Sequence, residues 1–119
     1  MKVSEYAKLD ATGLAQLIRD GEISPEEALE AAIAAIEQVN PSINAIVNRT
    51  YDFAREQLAA GIDRTAPFCG VPFVVKDEGG LMKGFPCTLG TRLSGDGIIT
   101  DHDAVLATRF NKAGVLVVA

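Results

Sequence analysis

Lys76 is the residue best placed to do chemistry. It follows Phe73, Val74 and Val75 at the carboxyl end of an apolar stretch, and open parallel sheets collect their ligands at that edge. A lysine held dry among such neighbours has its pKa lowered from about 10.4 toward neutrality, so its amine could lend or take a proton as a general base. Arginine tolerates that role less well. A strand-ending lysine that simply reaches for water fits the same pattern equally well. Strand alternation puts Lys76 on the face of Val74 and sends Asp77 to the other, where it is expected to tie down the following turn.

The remaining chemical groups are few. His102 is the single histidine; beside Asp101 and Asp103 it reads as a surface or capping residue rather than half of a dyad. Ser94 is the sole serine of the segment 78–101, and its Leu-Ser-Gly setting lacks the glycine-flanked strand-to-helix turn of a nucleophile. Cys69 and Cys87 have neither CxxC spacing nor a histidine cluster around them, so they read as free, reduced and inert thiols, and no metal or cofactor is expected.

The elements that must position Lys76 are legible on both sides of it. Leu14, Leu17 and Ile18 repeat at helical spacing before Gly21, which predicts a helix over 11–20. Ser24-Pro25 with Glu27 combines an N-cap, a first-turn proline and a capping box. The second helix buries Leu29, Ala32, Ile33 and Ile36, keeps Glu26, Glu30 and Glu37 wet, and is expected to stop at Asn40-Pro41. Ala45 to Val47 reads as a short strand. Tyr51, Ala54 and Leu58 sketch a third helix that ends before Gly61. Residues 70–77 read as a buried strand running into charge. Residues 78–101 hold six glycines and one proline without a steady period, a loop longer than compact domains usually keep without a task for it. Asp101 is expected to cap a last helix with Val105, Leu106, Phe110 and Ala113 on one side and Gly114 at its C′ position. Val115 to Ala119 is then a continuous apolar strand.

Strand, crossover helix and strand make a βαβ unit of a parallel sheet covered on both faces. The fold class is α/β: helices over 1–61, then the start of a mostly parallel sheet over 70–119. Two parallel strands do not make a stable sheet, and an unclosed apolar strand is an aggregation liability, so these 119 residues are expected to be the amino-terminal portion of one incomplete domain. Its partner is expected to be the remainder of that domain or a complementary chain, with homo-oligomer formation left open. The net charge of −5, with 16 acids against 11 bases and no basic run, excludes a nucleic-acid role. No stretch approaches the roughly 20 apolar residues of a membrane span, and the first ten residues lack the pattern of an export signal; a soluble cytoplasmic protein is expected.

The run Phe68-Cys69-Gly70-Val71-Pro72-Phe73-Val74-Val75-Lys76-Asp77 resembles the G-V-P-x-x-V-K-D pattern of the amidase-signature family. Flanking residues agree in order: Ile23-Ser24-Pro25, Asn40-Pro41, Asn44-Ala45, Gly84, Thr88, Gly90, Asp101, Asp103-Ala104 and Lys112-Ala113-Gly114. The resemblance covers the whole chain. It implies an amidase that hydrolyses the C–N bond of a small-molecule carboxylic amide through a Ser, cis-Ser, Lys triad. Lys76 would be the base, while both serines and the oxyanion hole lie beyond the equivalent of Ala119. The segment alone would then be inactive. Where many members, including the tRNA-dependent amidotransferase A subunits, continue with Asn and Ile after Lys-Asp, this chain has Glu78-Gly79-Gly80-Leu81-Met82. That difference favours a stand-alone amidase over the amidotransferase subunit, and Gly79, Gly80, Leu81 and Met82 are expected to line the substrate channel. An inert truncated product is the rival of another class.

Overall fold

The computed structural model describes residues 1–78 and 80–119. Among the described residues five helices, α1 Val3–Tyr6, α2 Ala11–Asp20, α3 Pro25–Ile43, α4 Tyr51–Ala59 and α5 Val105–Ala113, accompany four short strands, β1 Pro72–Phe73, β2 Pro86–Cys87, β3 Ile98–Ile99 and β4 Leu116–Val117. Local chemistry sets most helix ends. The Asp10 carboxylate accepts the Gly13 N–H at 2.7 Å, and α2 ends on Gly21 in the left-handed region. Ser24 and Glu27 exchange both capping-box hydrogen bonds, at 3.0 and 3.1 Å, which satisfies two donors that a helix start would otherwise leave unpaired.

Helix α3 does not stop at Asn40-Pro41. It continues through Pro41 to Ile43 and closes on Asn44 with φ 49°. A proline forfeits one hydrogen bond to the carbonyl four residues back; here that residue is Glu37, on an exposed turn, where water can replace the bond. The Asn40 side chain then does the terminating work, accepting from the Ile46 N–H at 2.8 Å and donating to the Ile46 carbonyl at 3.0 Å. With the Ile46 backbone satisfied in this way, the stretch 45–47 forms no strand, and the chain bends at Asn48 before Thr50. The Thr50 N–H and hydroxyl bond the Val118 and Val117 carbonyls at 3.0 and 2.9 Å.

β1 and β4 pair in parallel, with Pro72 opposite Leu116 and Phe73 opposite Val117. Hydrogen bonds from Gly70 to Gly114, from Leu116 to Val71, from Val118 to Phe73 and from Val75 to Ala119 extend the pairing to both sides, at 2.8 to 2.9 Å. The expected βαβ unit is therefore present, with α5 in the crossover. Alternate residues of β4 serve two cores: Leu116 and Val118 pack with Leu29 and Ala54 beneath α3 and α4, and Val115 and Val117 pack with Met82 and Ala107 on the α5 side.

Helix α5 departs from expectation at its start and on its buried face. Its N-cap is Ala104, without a side-chain cap, and Asp101 is turned instead to His102 Nδ1 at 2.8 Å. Asp103 fixes the helix start, accepting from the Lys83 N–H at 2.8 Å and from the Asn111 side-chain amide at 3.1 Å. The face toward the sheet is carried by Ala107, fully buried, while Val105 and Leu106 stay 71% and 47% exposed. Phe110 alone of the expected large residues packs inward, its ring 4.8 Å from that of Phe73. A small residue at 107 lets the helix lie close to the strands, so the stripe runs 107, 110, 113. The segment 78–101 is also not structureless: β2 and β3 pair antiparallel, a 3₁₀ turn spans Arg92–Ser94, and Lys83 bridges to Thr100. Strands of two residues are too short for alternation to reveal.

Candidate active site at the carboxyl edge of the parallel strands

Alternation along β1 and its continuation decides which side chains reach the site. Phe73 and Val75 turn to the α5-side core, while Val74 is 49% exposed and the Lys76 side chain 82% exposed. Lys76 shares its face with Val74, as expected, but it is not dry. α3 and α4 bury Leu116 and Val118 of β4 and leave the adjoining face of β1 open at its carboxyl end. The Lys76 amine stands 3.8 Å from a carboxylate oxygen of Glu78, an exposed pairing of the kind that contributes little to stability.

Lys76 borders a cavity of about 580 Å³, a volume suited to a small-molecule ligand. One wall is the segment 45–48, the floor includes Val74, Val75 and Met82, and the far wall is the stretch 85–90. Asn48 joins the walls by donating to the Pro86 carbonyl at 3.4 Å. The lining is mostly apolar, with Asn48, Thr50, Lys76, Asp77, Glu78 and Thr88 as its polar side chains.

Asp77 holds the far wall in place. Its carboxylate accepts the Thr88 N–H at 2.8 Å, the Thr88 hydroxyl, and the Gly90 N–H at 3.2 Å, and the buried Cys87 thiol donates to the Asp77 carbonyl. The turn tied down is thus eleven to thirteen residues away in sequence, not the one that follows directly. The Thr88 hydroxyl and then the Thr88 N–H hold the Asp77 carboxyl below its ordinary value of 3.8, with Gly90 assisting and partial burial opposing. A carboxyl whose folded value is depressed contributes stability above its unfolded value and loses it as pH falls through the folded one. The Thr88 and Gly90 amides are therefore expected to be protected, relative to their intrinsic exchange, from neutrality down to pH 3.8 and to lose that protection in more acidic solution. Nuclear magnetic resonance measurement of the two protection factors checks this, and protection that stays unchanged as the solution is made more acidic would contradict it.

Of the four residues expected to line a channel, Gly79 lies outside the described residues. Gly80 borders the cavity, and only glycine fits there, since a Cβ would stand 2.1 Å from Val75 Cγ1 and 2.9 Å from the Lys76 carbonyl. Leu81 is not among the lining residues; its carbonyl receives the Ala104 N–H at 2.9 Å and so anchors α5. Met82 is 6% exposed and belongs to the core, although it also forms part of the cavity floor. The Ser94 hydroxyl is engaged by the Thr88 and Thr91 carbonyls at 2.6 and 2.9 Å. His102 is exposed against Asp101, and both cysteines are free and buried. The walls at 45–48 and at Leu89 were not visible in any local pattern. Thr88 and Gly90, present in the family resemblance, were the only signal from that side. Among the described residues no group of His, Cys, Asp or Glu is placed to hold a metal, and no helix is long and apolar enough to cross a membrane.

The family profile described as Amidase matches residues 27–119. The chain belongs to the amidase family. It is 41% identical over 108 residues to the 6-aminohexanoate-cyclic-dimer hydrolase of Pseudomonas sp. (strain NK87), a match spanning 88% of this chain and 21% of that protein. An acylamidase of Rhodococcus erythropolis is 39% identical over 118 residues, across 91% of this chain and 24% of its own. The solved structure of 6-aminohexanoate cyclic dimer hydrolase complexed with substrate superposes with a TM-score of 0.81 at 38% identity, covering 93% of this chain and 23% of that one. This amidase chain thus spans between a fifth and a quarter of the length of the relatives it matches.

Proposed function

We propose that the chain forms the amino-terminal part of an amide-hydrolysing domain and supplies Lys76 as the base of a Ser, cis-Ser, Lys triad whose serines come from outside these 119 residues. The observation that supports this reading is the position of Lys76: it stands on the rim of the cavity, at the carboxyl end of β1, within the stretch that carries the family pattern. The open face around Val74 and Lys76 is where the rest of the domain docks. Docking expels water from the amine, which favours its neutral form. Neutral Lys76 then accepts a proton from the bridging serine as that serine takes the proton of the nucleophilic hydroxyl. The serine oxygen bonds to the amide carbonyl carbon, the C–N bond breaks as the leaving amine takes up the proton, and water hydrolyses the acyl ester. The substitution of Glu78-Gly79-Gly80-Leu81-Met82 for the amidotransferase pattern favours hydrolysis of small amides over transfer to a charged tRNA.

The chain alone is expected to release no product from simple aromatic or aliphatic amides. Joined with the part of the domain that carries the serines, it is expected to turn them over and to be inert in a charged-tRNA assay. Turnover by the isolated chain would refute the division of the triad, and an assembly that is silent on amides would refute amide hydrolysis itself.

A further inference from the structure

The far wall of the cavity carries a conformational oddity. Asn44 and Leu89 are the two non-glycine residues with positive φ among the described residues, at 49° and 53°. Asn44 ends a helix, where asparagine is ordinary. Leucine has no such excuse, because its Cβ opposes the left-handed region, and such conformations persist only where surrounding contacts over-determine them. Here they do. The Asp77 carboxylate receives donors from both sides of Leu89, from the Thr88 N–H and hydroxyl before it and from the Gly90 N–H after it. The Ser94 hydroxyl holds the Thr88 carbonyl from a third direction. The residue so fixed lines the cavity that Lys76 borders, as do the apolar Val47, Val74 and Phe85.

We infer that Leu89 is a specificity-determining residue of this site, selecting amides that carry a hydrocarbon substituent, and that Asp77 is the positioning residue that sets it. This rests on the reading of the cavity as the amide site. An apolar wall rewards each methylene placed against it with a modest factor in kcat/KM, and a side chain whose backbone is clamped gives that reward without being ordered on binding.

The test uses the assembled amidase and the ratio of kcat/KM for valeramide to that for acetamide. Leu89→Asn accepts the left-handed backbone but removes the apolar surface, and about a tenfold fall of the ratio is expected. Leu89→Met should keep the preference. Asp77→Ala, which releases the turn, should lower the ratio as Leu89→Asn does, mainly through KM for valeramide. If the unaltered assembly hydrolyses both amides and all three variants hold the ratio within twofold, the inference is overturned while the amidase reading stands. If the unaltered assembly hydrolyses neither amide, the reading of the site fails, and the inference falls with it.

Discussion

Lys76→Ala is expected to lower kcat for amide hydrolysis by the assembled amidase about 10⁴-fold, the scale on which the loss of one member of a nucleophile–base triad is felt. The loss should be chemical rather than structural. In this chain the side chain is 82% exposed and pairs with Glu78 at 3.8 Å, so truncating it changes the stability of the chain itself by no more than about 0.5 kcal/mol. Lys76→Arg sharpens the distinction, because it preserves length and charge but carries a guanidinium that does not give up its proton at working pH, and it should be as inactive as the alanine variant. Steady-state turnover with thermal unfolding as the control measures both. Near-normal turnover in either variant would refute the assignment of the base.

Gly114→Ala is expected to cost stability twice over, through its backbone conformation and through packing. Gly114 ends α5 with φ 85°, where a side chain costs about 1–2 kcal/mol. A Cβ there would also stand 2.6 Å from Ala66 Cβ and 3.2 Å from the Cys69 Cα. Both neighbours are in the core, so overpacking adds about 1–3 kcal/mol. A total near 3 kcal/mol corresponds to a fall of about 10–15 °C in melting temperature for a domain of this size. Gly21→Ala is the internal comparison: its φ is 75°, but its added Cβ would meet nothing within 4 Å, so only the conformational cost of about 1–2 kcal/mol remains. Equal losses at the two glycines would contradict the packing found at Gly114. The position matters for function because the Gly114 carbonyl accepts the Gly70 N–H, which sets the start of the register that carries Lys76 to the cavity rim.

What was readable beforehand was what neighbouring residues decide among themselves. The Ser24–Glu27 box, the glycine ends at Gly21 and Gly114, and the apolar run into Lys76-Asp77 each state their geometry within a few positions, and the structure follows them. What was not readable depends on distant chain. Helix α3 runs past Pro41 and closes on Asn44, with the Asn40 side chain holding the backbone of Ile46, which returns to meet it. Ala107 rather than Val105 faces the sheet because close approach favours a small residue, a choice the helical period leaves open. The dryness expected for Lys76 was inferred from its neighbours in sequence, yet burial is a property of the layer above, and α3 and α4 cover β4 rather than the end of β1. Likewise the walls of the cavity join Asn48 to Pro86 and Asp77 to Thr88, pairings that no local pattern announces.

Lys76 is open in this chain and, in the proposed assembly, is enclosed once the serines are docked over it. Covalent acetylation of amines with a water-soluble reagent, read residue by residue by mass spectrometry, measures that directly. In the isolated chain Lys76 should react as fast as the other exposed lysines; in the assembled amidase it should be protected at least about tenfold, and the fraction that does react should be lost to catalysis. Equal labelling of Lys76 in the two states, with turnover surviving the modification, would contradict the account.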